Sequence, residues 1–308
     1  MTITFIHSQK AFLPEIDAYS RLFSSMGFSC QTALPEEADR IDTGVEWHFM
    51  GTDTRKAREG RLKIHEYASG SVGALGPLKD FGKRILNAKP DFRLFLNPYV
   101  RKRLGFKDNI PFGYRDMGVD AGWFTQTNHS TASRTFDFIY IGDLSPARHP
   151  EDLLNVFTKN SMKEKTLFII SNHYARLQTL YHNFKNIVFR GPCEHAAIRS
   201  MLQEARYGIN YIIDKEPFNQ QTSTKLLEYA ACGLPIISTK YKWMEEFREK
   251  WGGQYYYLNP DLSNFTWEQI ENFDFIGPDL SDWTWEKQIR NSGIVEFLHA
   301  RLGNHQNS

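Results

Sequence analysis

Two doubly wound α/β halves are what this sequence predicts, and three observations carry the prediction. The 308 residues are long for one α/β domain and comfortable for two of about 130 to 170. Short β-branched or aliphatic runs alternate with segments of helical apolar spacing, the pattern of β-α-β units with parallel strands. That pattern breaks over residues 111–135, rich in Pro, Gly, Asn, Ser and Thr, and then starts again. Hydrophobic residues at 41% and charged residues at 24% are ordinary globular usage, so disorder is not expected.

Thr2 to Ile6 reads as a buried strand that ends in polar residues. Pro14 opens a helix with Ile16, Tyr19, Leu22, Phe23 and Met26 at helical spacing, closed by Gly27. Phe28 to Thr32 is extended again. Further strands are expected at Val45–Met50, Leu62–His65 and Arg93–Asn97, with a Gly-rich loop from Gly70 to Pro77 and a basic segment from Lys79 to Lys89. Residues 111–135 read as a linker. The second half offers strands at Phe136–Gly142, Thr166–Ser171, Asn186–Arg190, Tyr207–Ile213 and Pro235–Ser238. Helices are expected at Glu151–Thr158, Ala175–Asn183, Ala196–Ala205 and Ser223–Ala231. Trp283 to Leu302 reads as one final helix. The domains expected are 1–128, 129–285, and a C-terminal helix over 286–308 that packs back on the first domain.

Cysteines number three, Cys30, Cys193 and Cys232, far apart and without a Cys-x-x-Cys pair. This fits free thiols in a reducing compartment and excludes a disulfide framework. Pro192-Cys193-Glu194-His195 lacks a suitably spaced fourth ligand, so no metal site is expected there. Neither a signal peptide nor an apolar run near 18 residues is read, which points to a soluble, cytoplasmic protein. The formal net charge is only +1, yet residues 55–107 hold 14 Lys/Arg against 4 Asp/Glu. An anionic partner or a merely solvated face would both explain that surface.

The most informative stretch runs from Glu216 to Thr239. Ser223 and Thr224 precede a helix whose free N–H groups and positive dipole end make an anion site. Lys225 lies in the first turn, where a cation opposes the dipole, so an anion held there explains it better than helix stability does. Glu228 follows one turn later, where a carboxylate can accept two hydrogen bonds from a ribose diol. Gly233 ends the helix and Leu234-Pro235-Ile236-Ile237 starts a buried strand. An exposed Lys225–Glu228 pair on a capped helix is the structural alternative.

The run Ser223-Thr224-Lys225-Leu226-Leu227-Glu228-Tyr229-Ala230-Ala231-Cys232-Gly233-Leu234-Pro235 resembles the donor-binding motif of GT-B glycosyltransferases, in the Lys/Glu-Tyr subgroup of the retaining type. More weakly, Tyr140 to Arg148 is similar to the first strand and loop of that family's second domain. Arg148 stands where a phosphate-binding Lys is usual, and Asp143 replaces an Arg. The resemblance implies two Rossmann-like domains facing each other across a cleft. It implies transfer of a sugar from a nucleoside diphosphate donor, UDP-linked, to a hydroxyl acceptor, with no metal or other cofactor. Ser223, Thr224, Lys225, Glu228, Arg148, Gly142 and Cys193 would bind the donor, and Arg148 and Lys225 would stabilise the leaving diphosphate.

His65 and Glu66, at the C-terminal end of a predicted strand, lie where open α/β sheets place ligands. The resemblance implies that His65 lies by the transferred sugar, with Glu66 the alternative base. The Gly70–Pro77 loop would lie on the acceptor side. A saccharide or lipid-linked saccharide acceptor of bacterial surface polysaccharide or lipopolysaccharide synthesis fits the class and the basic first half. Docking on the anionic inner face of the plasma membrane fits them too. The rival is a non-catalytic anion- or nucleic-acid-binding protein that uses the 55–107 surface; it leaves the 216–239 motif unexplained.

Overall fold

The computed structural model describes residues 1–8, 13–69, 76–124 and 134–302. The chain forms two compact units: residues 1–118 with 282–308, and residues 119–281.

In the first unit the elements run β1 (Thr2–Ile6), α1 (Pro14–Ser25), β2 (Ser29–Ala33), β3 (Val45–Phe49), β4 (Leu62–Tyr67), α2 (Gly76–Leu86), β5 (Phe92–Phe95), α3 (Pro98–Leu104) and β6 (Phe112–Tyr114). The second unit continues with β7 (Phe136–Ile141), α4 (Pro150–Val156), β8 (Leu167–Ile170), α5 (Ala175–Leu180), β9 (Ile187–Arg190), α6 (His195–Gln203), β10 (Ala205–Asn210), α7 (Thr224–Ala231), β11 (Ile236–Thr239), α8 (Lys242–Trp251), β12 (Tyr256–Leu258) and α9 (Trp267–Glu271). The chain ends in α10 (Trp285–Asn291) and α11 (Ile294–Leu302), both in the first unit.

Both doubly wound halves are present. Each holds a six-stranded sheet of parallel strands, ordered β2-β1-β3-β4-β5-β6 and β12-β11-β10-β7-β8-β9. Strand order reverses between β1 and β3 in the first sheet and between β7 and β10 in the second. Open parallel sheets bind ligands at such switch points, beyond the carboxyl ends of the strands.

In the first unit, one sheet face packs Ile3, Phe5, Val45, Trp47, Ile64 and Leu94 against Tyr19 and Phe23 of α1 and Ile289 and Leu298 of the last two helices. The apolar spacing read for α1 is thus the stripe it buries. In the second unit, Phe138, Ile169, Ile209 and Ile237 form the sheet's share of the core, covered by Leu153, Leu154 and Phe157 from α4 and its end.

Three expectations change. The stretch 111–135 is not all linker, because β6 closes the first sheet. Its Phe112 and Tyr114 are exposed and its Gly113 is buried, as befits a short edge strand. Trp283–Leu302 is two helices, interrupted at Gly293, whose φ of +76° suits glycine. The second sheet has a sixth strand, β12, reached through α8. The Gly70–Leu75 part of the expected loop lies outside the described residues. Among the described residues no helix is long and apolar enough to cross a membrane.

Candidate functional site

The residues of the 216–239 motif and of the Tyr140–Arg148 stretch meet at the switch point of the second sheet. Ser223 is the N-cap of α7: its Oγ accepts the Leu226 N–H at 3.4 Å and donates to Asn210 Oδ1 at 2.7 Å. Its hydroxyl therefore caps the helix start, as the placement of Ser223 before the helix predicts, and fixes the N–H groups of that first turn in place. Thr224, the first helical residue, is exposed.

Lys225 comes next and is 9% exposed. Its Nζ donates to the Tyr211 carbonyl, just past β10, at 3.3 Å. It lies 4.4 Å from the centre of the Tyr140 ring on β7. Burial, then the charge of Arg148, lowers its ammonium to about 7, with Asp143 pulling the other way. Among the described residues no carboxylate is within ion-pair distance of this ammonium, and Asp143 favours its charged form only from further away.

Gly142 follows β7 with φ +151°, a conformation that favours glycine. A Cβ there would stand 3.4 Å from Lys225 Nζ and 3.3 Å from the Tyr140 hydroxyl. The missing side chain therefore keeps backbone and ammonium open to the same space.

Arg148 ends a short 3-10 turn before α4. Its guanidinium lies 4.5 Å over the Phe218 ring and its Nε is 3.4 Å from Asp143 Oδ2. That Nε is buried without a hydrogen-bond partner among the described residues. Asp143, the departure noted in the sequence, is itself well held. It accepts from the Ser145 N–H at 3.0 Å and Ser145 Oγ at 2.6 Å and pairs with His173 Nδ1 at 2.9 Å. Burial alone would raise its carboxyl, but these bonds and Arg148 bring it below the ordinary range. The site is thus two cations facing one fixed carboxylate, not a purely basic pocket.

Glu228 lies one turn along α7. Its Oε1 pairs with His195 Nε2 at 2.8 Å, and the imidazole stacks on Trp123 with centroids 4.7 Å apart. The two residues of the pair are 33 positions apart in the chain. Nothing in the sequence marks His195 or Trp123 for this contact. Tyr229, beside Glu228, is structural: its hydroxyl accepts the Ile141 N–H at 2.9 Å. Its ring occupies space that a Cβ on Gly208 would invade at 2.5 Å. Cys193 is a half-buried free thiol in the loop before α6.

In the first unit, His65 and Glu66 do not form one site. Successive strand residues point to opposite faces of a sheet, and both side chains are enclosed. Glu66 is 1% exposed. Its carboxylate takes the Arg115 guanidinium, the Trp47 indole N–H at 2.8 Å and the Tyr19 hydroxyl at 3.1 Å. Arg115 also reaches Glu15 at 3.0 Å. A general base must reach a proton on a bound molecule, so Glu66 is corrected to a structural residue.

His65, fully buried, shares the other face with Glu46, His48, Asp53 and Lys63. Its Nε2 is 3.3 Å from Asp53 Oδ2, to which Lys63 also donates at 2.7 Å. Burial lowers His65 to about 4 although Asp53 pulls upward, so the ring is neutral at neutral pH. Its expected place beside a transferred sugar is corrected to a place in this internal polar cluster.

Residues 135–265 match the family model described as Glycosyl transferases group 1. No curated protein matches the sequence. Among solved structures, sucrose-phosphate synthase from Thermosynechococcus elongatus is 9% identical with a TM-score of 0.67, covering 98% of this chain and 100% of its own. Anabaena Alr3699/HepE in complex with UDP-glucose is 10% identical with a TM-score of 0.61, covering 96% and 94%. AviGT4, a glycosyltransferase involved in avilamycin A biosynthesis, is 11% identical with a TM-score of 0.58, covering 99% and 97%. At these identities the likeness is one of fold: the two parallel sheets with their helices form a GT-B-like α/β architecture.

Proposed function

We propose that this chain, whose residues 135–265 match the Glycosyl transferases group 1 model, moves a sugar from a UDP-linked donor to a hydroxyl of a saccharide or lipid-linked saccharide. The observation that carries this reading is the meeting of Lys225, Arg148 and the start of α7 beside Gly142 at the switch point of the second sheet. As the bond from sugar to diphosphate breaks, charge grows on the leaving oxygens. Fixed cations and helix N–H groups stabilise that charge most where water is excluded. Lys225 and Arg148 supply the cations from the chain itself, so we propose departure without a metal.

Glu228 accepts hydrogen bonds from the ribose diol, with His195 holding the carboxylate from its other side. UDP is the nucleotide in one solved neighbour of the same fold, which supports it as the first choice here. A retaining outcome is the one proposed, because the Lys225/Glu228-Tyr229 form of the motif resembles that subgroup. Assembly of a bacterial surface polysaccharide or lipopolysaccharide is the use we propose for such an activity.

Calorimetric titration with UDP tests the nucleotide assignment. Glu228→Ala removes two charge-assisted hydrogen bonds, each contributing about 1.5–3 kcal/mol, so affinity should fall at least about tenfold. The fold should stay intact, since Glu228 is only partly buried and its ion-pair partner His195 is too. Unchanged UDP affinity in this variant would remove Glu228 from the donor site.

A further inference from the structure

α2 is built inside out. A surface helix ordinarily turns its apolar stripe inward, as α1 does with Ile16, Tyr19, Leu22 and Phe23. In α2, Leu78 is 65% exposed, Phe81 48%, Ile85 62% and Leu86 59%. At 100° per residue these four, with Gly82 among them, fill an outward arc about 140° wide. The inward face carries charge instead. Asp80 is 2% exposed and accepts from Arg103 Nε at 2.7 Å, while Lys83 reaches it at 4.0 Å. Arg84 caps α3 through the Gly105 carbonyl at 3.5 Å. The helix is thus fixed to the protein by ion pairs and leaves its apolar side open.

The charges around the arc narrow down what covers it. On the wheel, Lys79 and Lys83 flank one edge and Arg84 the other. The helix's single carboxylate, Asp80, is turned away and neutralised by Arg103. On neighbouring α3, Arg101 and Lys102 are exposed, Arg101 lying 3.9 Å over the half-exposed ring of Phe112. An apolar strip bordered by cations, with no exposed acid on the helix, complements the interface of an anionic bilayer. There, apolar side chains enter the acyl boundary and cations meet the headgroups.

We propose that α2 docks the first unit on an anionic lipid surface, with Leu78, Phe81, Ile85 and Leu86 inserted and Lys79 and Arg84 at headgroup level. The proposal sharpens the basic-segment reading: Arg103 is excluded from the contact because it is committed to Asp80.

Co-sedimentation of the full chain with vesicles of phosphatidylglycerol and phosphatidylcholine tests it, with pure phosphatidylcholine as the neutral arm. The chain should bind the anionic vesicles and be released as salt rises. Each cation at such a surface accounts for roughly a fivefold change in partitioning, so Lys79→Glu with Arg84→Glu should lower binding more than about tenfold. Phe81→Ser with Ile85→Ser should lower it by about tenfold or more, since two inserted side chains are lost. Because both residues are exposed, this variant should keep its melting temperature and its UDP affinity. Failure to bind anionic vesicles at low salt would overturn the proposal. So would binding that survives the Phe81→Ser/Ile85→Ser change. Sedimentation analysis showing that this change converts a dimer into a monomer would assign the arc to a second copy of the chain and equally overturn it.

Discussion

Lys225 offers the most quantitative test of the proposed donor site. In the protein alone, burial and the neighbouring Arg148 lower its ammonium from 10.5 to about 7. A diphosphate bound beside it would favour the charged form and restore its hold on a proton. UDP binding should therefore take up a proton above about pH 7, and affinity should fall as pH rises. Phosphate oxygens with a second pKa near 6 are about nine-tenths ionised at pH 7 and more so above it, so the nucleotide's own titration contributes little in that window. Between about pH 7 and about pH 8.5 the protonated fraction of free Lys225 drops from roughly one half to roughly one thirtieth, which is about a fifteenfold loss of affinity, or about 1.6 kcal/mol. Titration calorimetry at about pH 8 in two buffers of different ionisation enthalpy reads the uptake directly, and it should approach one proton per UDP. Lys225→Met should abolish both the uptake and the pH slope. The sign for the fold is independent of ligand. The folded pKa is lowered, so the unfolded chain binds more protons between about 7 and 10.5, and stability rises with pH across that window. Affinity that stays flat from about pH 7 to about pH 8.5 would refute the placement of the diphosphate beside this ammonium.

Two further outcomes follow from the same geometry. Arg148→Ala should lower turnover more than donor affinity, because charge on the leaving group grows in the transition state; wild-type turnover at saturating donor would make Arg148 structural. Glu66→Ala should leave Arg115 buried with Glu15 as its remaining carboxylate. Removing one partner of a buried pair costs about 3–5 kcal/mol, so thermal unfolding should move down by roughly 10 °C. A loss of activity with unchanged stability would instead restore Glu66 as a base.

Much of the second unit was legible because its signals are local. Ser223 caps α7 within three residues, Gly233 closes it at φ +65°, and Pro235 leads into β11. Each of these is written in the residues that form it. The misplacement of His65 and Glu66 has a physical cause. Strand alternation sends neighbours to opposite faces, and their partners are remote in sequence: Arg115 is 49 residues from Glu66, and Asp53 is 12 from His65. Whether a titratable group is sealed depends on such long-range pairs, which spacing does not reveal. The same holds for His195, which reaches Glu228 only after α6 and α7 have packed on their strands. The short strands β6 and β12 escaped notice because three residues carry too little alternation to register. The basic charge of α2 was visible at once. That its apolar residues face outward was not, since helical periodicity says which residues share a side but not which side the fold covers.

Turnover of the donor itself is the most direct test of the account. The protein is incubated with a panel of nucleotide sugars and release of the nucleoside diphosphate is followed, which detects slow hydrolysis without any acceptor. A UDP-sugar should be turned over, Lys225→Met and Arg148→Ala should each slow it, and Glu228→Ala should raise the donor concentration it needs. If no nucleotide sugar is hydrolysed, or if hydrolysis is indifferent to all three changes, the assignment of Lys225, Arg148 and Glu228 to a donor site is contradicted.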